Sequence, residues 1–414
     1  MRITKAETDF LNRISRNAYF LFCCIITLLA VVLRISCFDY VSRDYQIYLL
    51  PWYQEIVSMN GAAALGTAVG NYNIPYQTMI WILTRLPLDP LYAYKTISCI
   101  CDFILAFAAG RLAAAVPAVH DGTRSDAGRE TSAAAPRIFC FVYAAVLFLP
   151  TVFLNSAEWA QCDSIFSAFI LLSLLFLFRD RFRTAFILLG AAFAFKLQAV
   201  FILPFFLYYW FSRRNFSLLN FLWIPGMQYI LSIPGFVCGR SLLDPIAIYS
   251  EQTDTYKYMY LNFQSFWTLL CSREAYSALS TPAVVLTAAI LGCGLLSLIE
   301  RSRKKQPDPK FLLQTAAWTV YTCVLFLPAM HERYGYLAEV LLVLLACLDA
   351  RLIGIAAIAE ITALIHYGTY LYGLQADDLC LKLTAAAYTA AWLLFSVRLW
   401  KTDESSQYPS CLRS

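Results

Sequence analysis

The chain has 414 residues, 60% of them hydrophobic and only 14% charged, with a formal net charge of +5. Soluble domains carry about a quarter charged residues, so this composition, with a mean hydropathy of +0.60, excludes an ordinary water-soluble globule. Apolar runs long enough to cross a bilayer recur from end to end and the period-two alternation of a membrane barrel is absent, so the expected class is all-α, a polytopic integral membrane protein.

A basic start (Arg2, Lys5, Arg13, Arg16) leads into a first span at 18–38, which lacks a small-residue cleavage site and reads as an uncleaved anchor. The stretch 39–76 is too polar to cross. Within it Tyr45, Tyr48, Leu49, Trp52, Tyr53 and Ile56 follow helical spacing, as expected of a helix lying at the interface of a first external loop. Further spans are expected at 92–116, 138–151, 164–178, 184–211, 216–237, 282–299, 311–328, 336–350, 352–374 and 381–399, giving about 11–13 transmembrane segments. The segment 120–136 is small and polar and reads as a flexible loop. A second large external loop is expected at 239–281, and 335–400 holds the C-terminal spans. The whole of 1–414 reads as one transmembrane domain, without an internal repeat. Most of the 14 cysteines lie dispersed in apolar segments without C-x-x-C spacing, which suits packing rather than metal binding.

Basic clusters read as cytoplasmic flanks rather than nucleic-acid patches. Arg213-Arg214 and Arg301, Arg303, Lys304, Lys305 fix two such points, one span beyond which His331 lies on the outer side, and the first span puts Asp44 on the same side. Arg179, Arg181 and Arg183 also read as cytoplasmic, yet 184–211 is too short to cross twice. Two half-helices meeting at Lys196-Leu197-Gln198 reconcile the charges, since broken helices are tolerated where they line a protein cavity. Asp163 then lies outside, and one earlier segment, 73–86, enters without crossing.

Four polar groups converge near the outer leaflet on this topology: Asp44, the run Trp159-Ala160-Gln161-Cys162-Asp163-Ser164, Lys196 with Gln198, and His331-Glu332-Arg333-Tyr334. Each has a plainer reading. Asp44 also suits a loop acid, Asp163 a helix N-cap, Lys196 a snorkelling side chain, and Glu332 with Arg333 a salt bridge at a helix start. Ionisable groups at membrane depth are nevertheless functional candidates by default. Together they suit attack by a hydroxyl on a sugar carried by a lipid phosphate. Asp44 would take the proton, and Arg333 helped by Lys196 would hold the phosphate. Gln161, Asp163, Gln198, His331, Glu332 and Tyr334 would shape the sugar or acceptor pocket, and Trp159 or Trp52 would stack on a sugar face.

These motifs resemble the GT-C superfamily of polyprenyl-phosphate-sugar-dependent glycosyltransferases, and among them the bacterial membrane proteins similar to the second mannosyltransferase of the GPI anchor. The resemblance runs from Arg34 to about Val340. It rests on Ser42-Arg43-Asp44-Tyr45, on Trp159 to Ser164 where relatives read W-G-Q-x-D-S, on Phe195-Lys196-Leu197-Gln198, and on Pro328 to Tyr334. It implies a GT-C-like fold with Asp44 as the catalytic aspartate, and a polyprenyl-phosphate-linked hexose, mannose first, as the donor. The implied acceptor is a cell-envelope glycan or glycolipid, reached from the outer face of a bacterial cytoplasmic membrane. Inversion without a metal or other cofactor is expected. Ala160 in place of glycine and Gly335 after the H-E-R-Y depart from the pattern and bear on the substrate more than on the activity. The alternatives are a flippase of a lipid-linked sugar, which inverted repeats would favour, and a non-catalytic scaffold of a polysaccharide assembly complex.

Overall fold

The computed structural model describes Glu7 and residues 17–59, 61–118 and 127–401. The basic residues Arg2, Lys5, Arg13 and Arg16 and the segment 119–126 lie outside the described residues. The described chain is helical almost throughout, an all-α polytopic membrane protein. Five helices are long and apolar enough to cross a bilayer unaided: Ala18–Ser36, Pro90–Val116, Tyr276–Lys304, Ala350–Tyr372 and Asp378–Lys401. A sixth crossing results if Ala134–Leu147 and Pro150–Glu158, bent by 54° at their junction, count as one. Asp163–Leu177, Phe182–Phe195, Leu218–Leu231 and Tyr336–Leu348 are apolar but shorter. The expected 11–13 spans are therefore not matched by that many full-length helices, because several apolar runs are divided.

The surface of the first helix explains why the chain needs a bilayer. Phe20, Ile25, Leu28 and Val32 are more than half exposed, an apolar face that water would not tolerate. One buried ion pair ties this helix to the rest. Arg34 at its end reaches Asp102 at 2.9 Å and donates to the Leu147 carbonyl at 3.2 Å. At the centre, Pro309–Phe326 and Asp163–Leu177 are buried on nearly every side, packed with Tyr336–Leu348. The ends of these central helices carry the polar residues of interest.

Three local departures from regular helix shape that end of the bundle. The helix Phe182–Phe195 stops at Lys196, which is extended (φ −151°, ψ 132°), and the chain resumes as a 3-10 turn, Leu197–Ile202, before Leu203–Arg213. Pro204 in the first turn of the last piece suits a restart, since its missing N–H needs no partner there. In 39–76 a π-turn, Tyr45–Leu49, runs into the helix Leu50–Ser58. The helix Ile74–Leu83 spans ten residues, roughly 15 Å and about half the hydrocarbon thickness, too short to cross.

One expectation is corrected and another is filled in with local structure. The segment read as a loop at 120–136 is helical from Ala127, where Ala127–Leu147 begins. From Ala127 on it carries four alanines, at 127 and 133–135, the best helix former, so polarity misled where propensity did not. The segment 239–281 is not a plain loop. It holds a helix, Asp244–Thr255, a two-residue strand β1, Tyr260–Leu261, and a 3-10 turn, Phe266–Leu269, before Tyr276–Lys304. Strand β1 pairs in parallel with β2, Met330–His331, in the register Tyr260↔Met330 and Leu261↔His331.

Candidate functional site

A polar cavity of about 510 Å³ opens where these irregular segments meet. Asp44, Gln161, Lys196, Gln198, His331, Glu332, Arg333 and Tyr334 all line it. Residues scattered over nearly three hundred positions of sequence thus share one wall system. Trp159 and Asp163 do not line it. Both are fully buried behind it and act through the residues in front.

Asp44 is the centre of the arrangement. Its Oδ2 accepts from the Trp159 indole Nε1 at 3.0 Å, from Gln161 Nε2 at 2.7 Å and from Arg333 Nη1 at 3.3 Å. Its Oδ1 accepts, among the described residues, from the Tyr370 hydroxyl alone. A carboxylate offers about four lone-pair positions, so Oδ1 has capacity for one further donor. The side chain is only 7% exposed, a cost met by these donors.

Local sequence explains the geometry. After the π-turn Leu154–Glu158, Ala160 takes a left-handed conformation, φ 65°, which turns Trp159 and Gln161 toward the same carboxylate. Glycine adopts that conformation without the steric cost an alanine Cβ brings, so the departure at Ala160 is a strained position rather than a change of chemistry. Trp159 stacks on Tyr370 with ring centroids 4.8 Å apart and meets Tyr367 edge-on at 5.1 Å. The Arg333 guanidinium lies 5.4 Å from the indole centre. Trp159 therefore orients Asp44 and Arg333 and presents no face for a sugar. Trp52 does line the cavity, between Tyr48 and Tyr72 at 5.9 and 5.7 Å.

Asp163 opens its helix but caps nothing; the N-cap position is Cys162, without a side-chain bond. Its carboxylate instead pairs with Lys196, accepts from Asn155 Nδ2 at 2.9 Å, and lies 3.8 Å from Arg333 Nε. Lys196 thus reaches the cavity with its charge already answered. As C-cap of its helix Lys196 still donates its N–H to the Ala192 carbonyl, and its extended backbone turns the side chain inward to Asp163. The Gln198 Oε1 is buried and accepts no hydrogen bond among the described residues, so an acceptor is held ready on the wall.

The H-E-R-Y segment begins within β2, its His331 pairing with Leu261 of β1, which holds it in place. Arg333 also lies 3.4 Å from Glu332 Oε1, so the salt-bridge reading and the site reading hold together. Burial pushes the Glu332 carboxyl up to about 7, against the pull of the Arg333 charge. Burial and the charges of Arg333 and Lys196 push the His331 imidazole down to about 3. His331 is therefore neutral, and its 3.9 Å approach to Glu332 is no ion pair. Its ring meets Tyr256 edge-on at 4.7 Å, closing one side of the cavity.

Sequence reasoning missed Tyr370, Asn155 and the aromatic residues Tyr72 and Tyr256. Tyr370 stands among Tyr367 and Tyr372 at the end of an apolar helix, a pattern that belts at membrane interfaces share. Nothing local marks it as the partner of a residue 326 positions away. No group of His, Cys, Asp and Glu among the described residues has metal-site geometry. No protein-family model matches the chain, and no curated protein matches it.

Proposed function

We propose that this protein transfers a hexose, mannose being the first to test, from a polyprenyl-phosphate carrier to a hydroxyl of a cell-envelope glycan or glycolipid. The single observation that carries this reading is Asp44: a buried carboxylate fixed by Trp159, Gln161, Arg333 and Tyr370, with an oxygen free to accept one more donor at the wall of a polar cavity. In the reaction so read, the acceptor O–H donates to Asp44 Oδ1. As the new bond to the anomeric carbon forms, the bond from that carbon to the phosphate oxygen breaks. The electron pair leaves with the phosphate toward Arg333, with Lys196 behind it, and Asp44 keeps the proton. Attack from the side opposite the phosphate inverts the anomeric centre. A phosphate leaving group needs no protonated acid, so one base and one cation suffice. Gln198 and Gln161 suit sugar hydroxyls and Trp52 a sugar face. The likeness to GT-C transferases supports the same reading, with the cavity facing outside a bacterial cytoplasmic membrane.

The test is transfer from a radiolabelled polyprenyl-phosphate-mannose by the purified chain in detergent, beside its Asp44→Asn variant. Asn keeps the shape and can still accept at one oxygen, so the variant folds but loses about 10²–10⁴-fold in rate. Equal rates for the two would remove Asp44 as the base.

One observation favours the rival reading, movement of a lipid-linked sugar across the bilayer. Glu339 is buried within its helix, neither of its oxygens makes a hydrogen bond among the described residues, and Glu360 is its strongest electrostatic neighbour. Unpaired acids at membrane depth recur in proton-coupled transporters.

A further inference from the structure

Counting charges around the cavity separates its cations into two kinds. Lys196 is paired with Asp163, and Arg333 is shared among Asp44, Glu332 and Asp163. Arg43, which also lines the cavity, is exposed and has no hydrogen bond, ion pair or ring contact among the described residues. Arg273 lines it too; its one ionic contact is Glu274 at 3.8 Å, with both side chains about half exposed or more, a pairing of little strength in water. The Arg273 guanidinium rests on the Tyr258 ring at 4.2 Å, which positions it without answering its charge. The inner cations are neutralised, and the outer ones are not.

We infer that a phosphate ester is anchored at the mouth of this cavity by Arg43, with Arg273 as a second cation, and that Arg333 meets the phosphate only as charge develops on it. The assignment rests on the transfer reading for the identity of the ligand and on the charge distribution for its place. Arg43 is the neighbour of Asp44 at the start of the π-turn, so an anion held there stays beside the base. A guanidinium gives two parallel N–H donors to a phosphate where an ammonium gives a point charge. Arg333 already has its charge answered, Nη1 by Asp44 and Glu332 at 3.3 and 3.4 Å and Nε by Asp163 at 3.8 Å, so it draws a ground-state phosphate less strongly than the unpaired Arg43. The shared chemistry is a phosphate ester; the source is a lipid carrier or a free phosphate.

Binding to the purified full chain in detergent, measured by calorimetry without any acceptor, tests the assignment. Farnesyl phosphate and inorganic phosphate are the two probes. Farnesyl phosphate is expected to bind, Arg43→Gln to weaken it ten- to a hundredfold, Arg43→Lys to weaken it less, and Arg273→Gln to weaken it severalfold. Farnesyl phosphate bound well above inorganic phosphate points to a lipid carrier; equal affinities with the same Arg43 dependence keep the anion site and assign it to free phosphate. Arg43→Gln binding as tightly as the parent, with an unchanged melting temperature, overturns the assignment. Arg43 is exposed, so the variant is expected to fold, and the lysine variant separates loss of charge from loss of geometry. Arg43-dependent binding without transfer would overturn the transfer reading alone. Transfer unaffected by Arg43→Gln would overturn the anchor alone.

Discussion

Among single residues, Glu332 makes the sharpest statement about solution behaviour. Its carboxyl is raised from about 4.5 to about 7 by burial beside Arg333. A group raised in the folded state contributes stability that is complete below its unfolded value and is lost as pH rises through the folded one. The loss falls between about pH 4.5 and pH 8 and amounts to about 3 kcal/mol. Glu332→Gln removes it, so thermal melts in detergent should show the variant gaining on the parent from pH 5 to pH 8; a pH-independent difference would refute the assignment. Ala160 stood out only against the motif the sequence was compared with, and its meaning was not legible, since a φ of 65° is a property of the backbone. The pairing of Lys196 with Asp163 was not legible either. Both residues stood out, but nothing in one sequence says that two outstanding residues satisfy each other.

For the elements, what sequence shows best is length and apolar run, and what it shows least is pairing. The break at Lys196 follows from basic flanks on both sides of a segment too short to cross twice. Helix Ile74–Leu83 being too short to cross follows from the same charge arithmetic. The β1–β2 contact involves two residues on each side, below any periodicity a sequence could display, yet it brings the 239–281 segment onto the H-E-R-Y. Gly70 is another such detail. Its φ is +70°, and a Cβ there would stand 2.6 Å from the Trp52 ring, so the aromatic wall lies directly on the backbone. Gly70→Ala should displace Trp52, seen as a shift in tryptophan emission, and raise the acceptor KM severalfold with little change in kcat; a changed kcat at constant KM would place Trp52 outside acceptor binding. The Arg34–Asp102 pair holds a helix whose other faces meet lipid. Asp102→Ala leaves a buried guanidinium uncompensated, a loss of about 3–5 kcal/mol. It should show as a lower melting temperature and as faster proteolysis between residues 36 and 50.

Taken as a whole molecule, the chain joins an apolar exterior to a polar chamber whose charges are mostly answered inside it. Composition alone established the membrane class, because 60% hydrophobic residues with 14% charged leave no soluble alternative. The chamber was legible as four clusters expected to converge near one face; which of them touch, and through which atoms, required the three-dimensional path. Glu339 decides between the two global readings. In a transferase it is a buried acid that does not line the cavity, and Glu339→Gln should leave transfer within about twofold, since the isosteric amide removes only the ionisation. In a proton-coupled carrier the same substitution should abolish pH-driven uptake of a lipid-linked sugar into proteoliposomes.

The site also has an order of assembly. Asp44 is synthesised 289 positions before Arg333 and 326 before Tyr370, yet both close on its carboxylate. A nascent chain halted before the helix that bears Tyr370 therefore holds Asp44 with its ring of donors incomplete, and on the transfer reading the base is fully set only once that helix has been inserted.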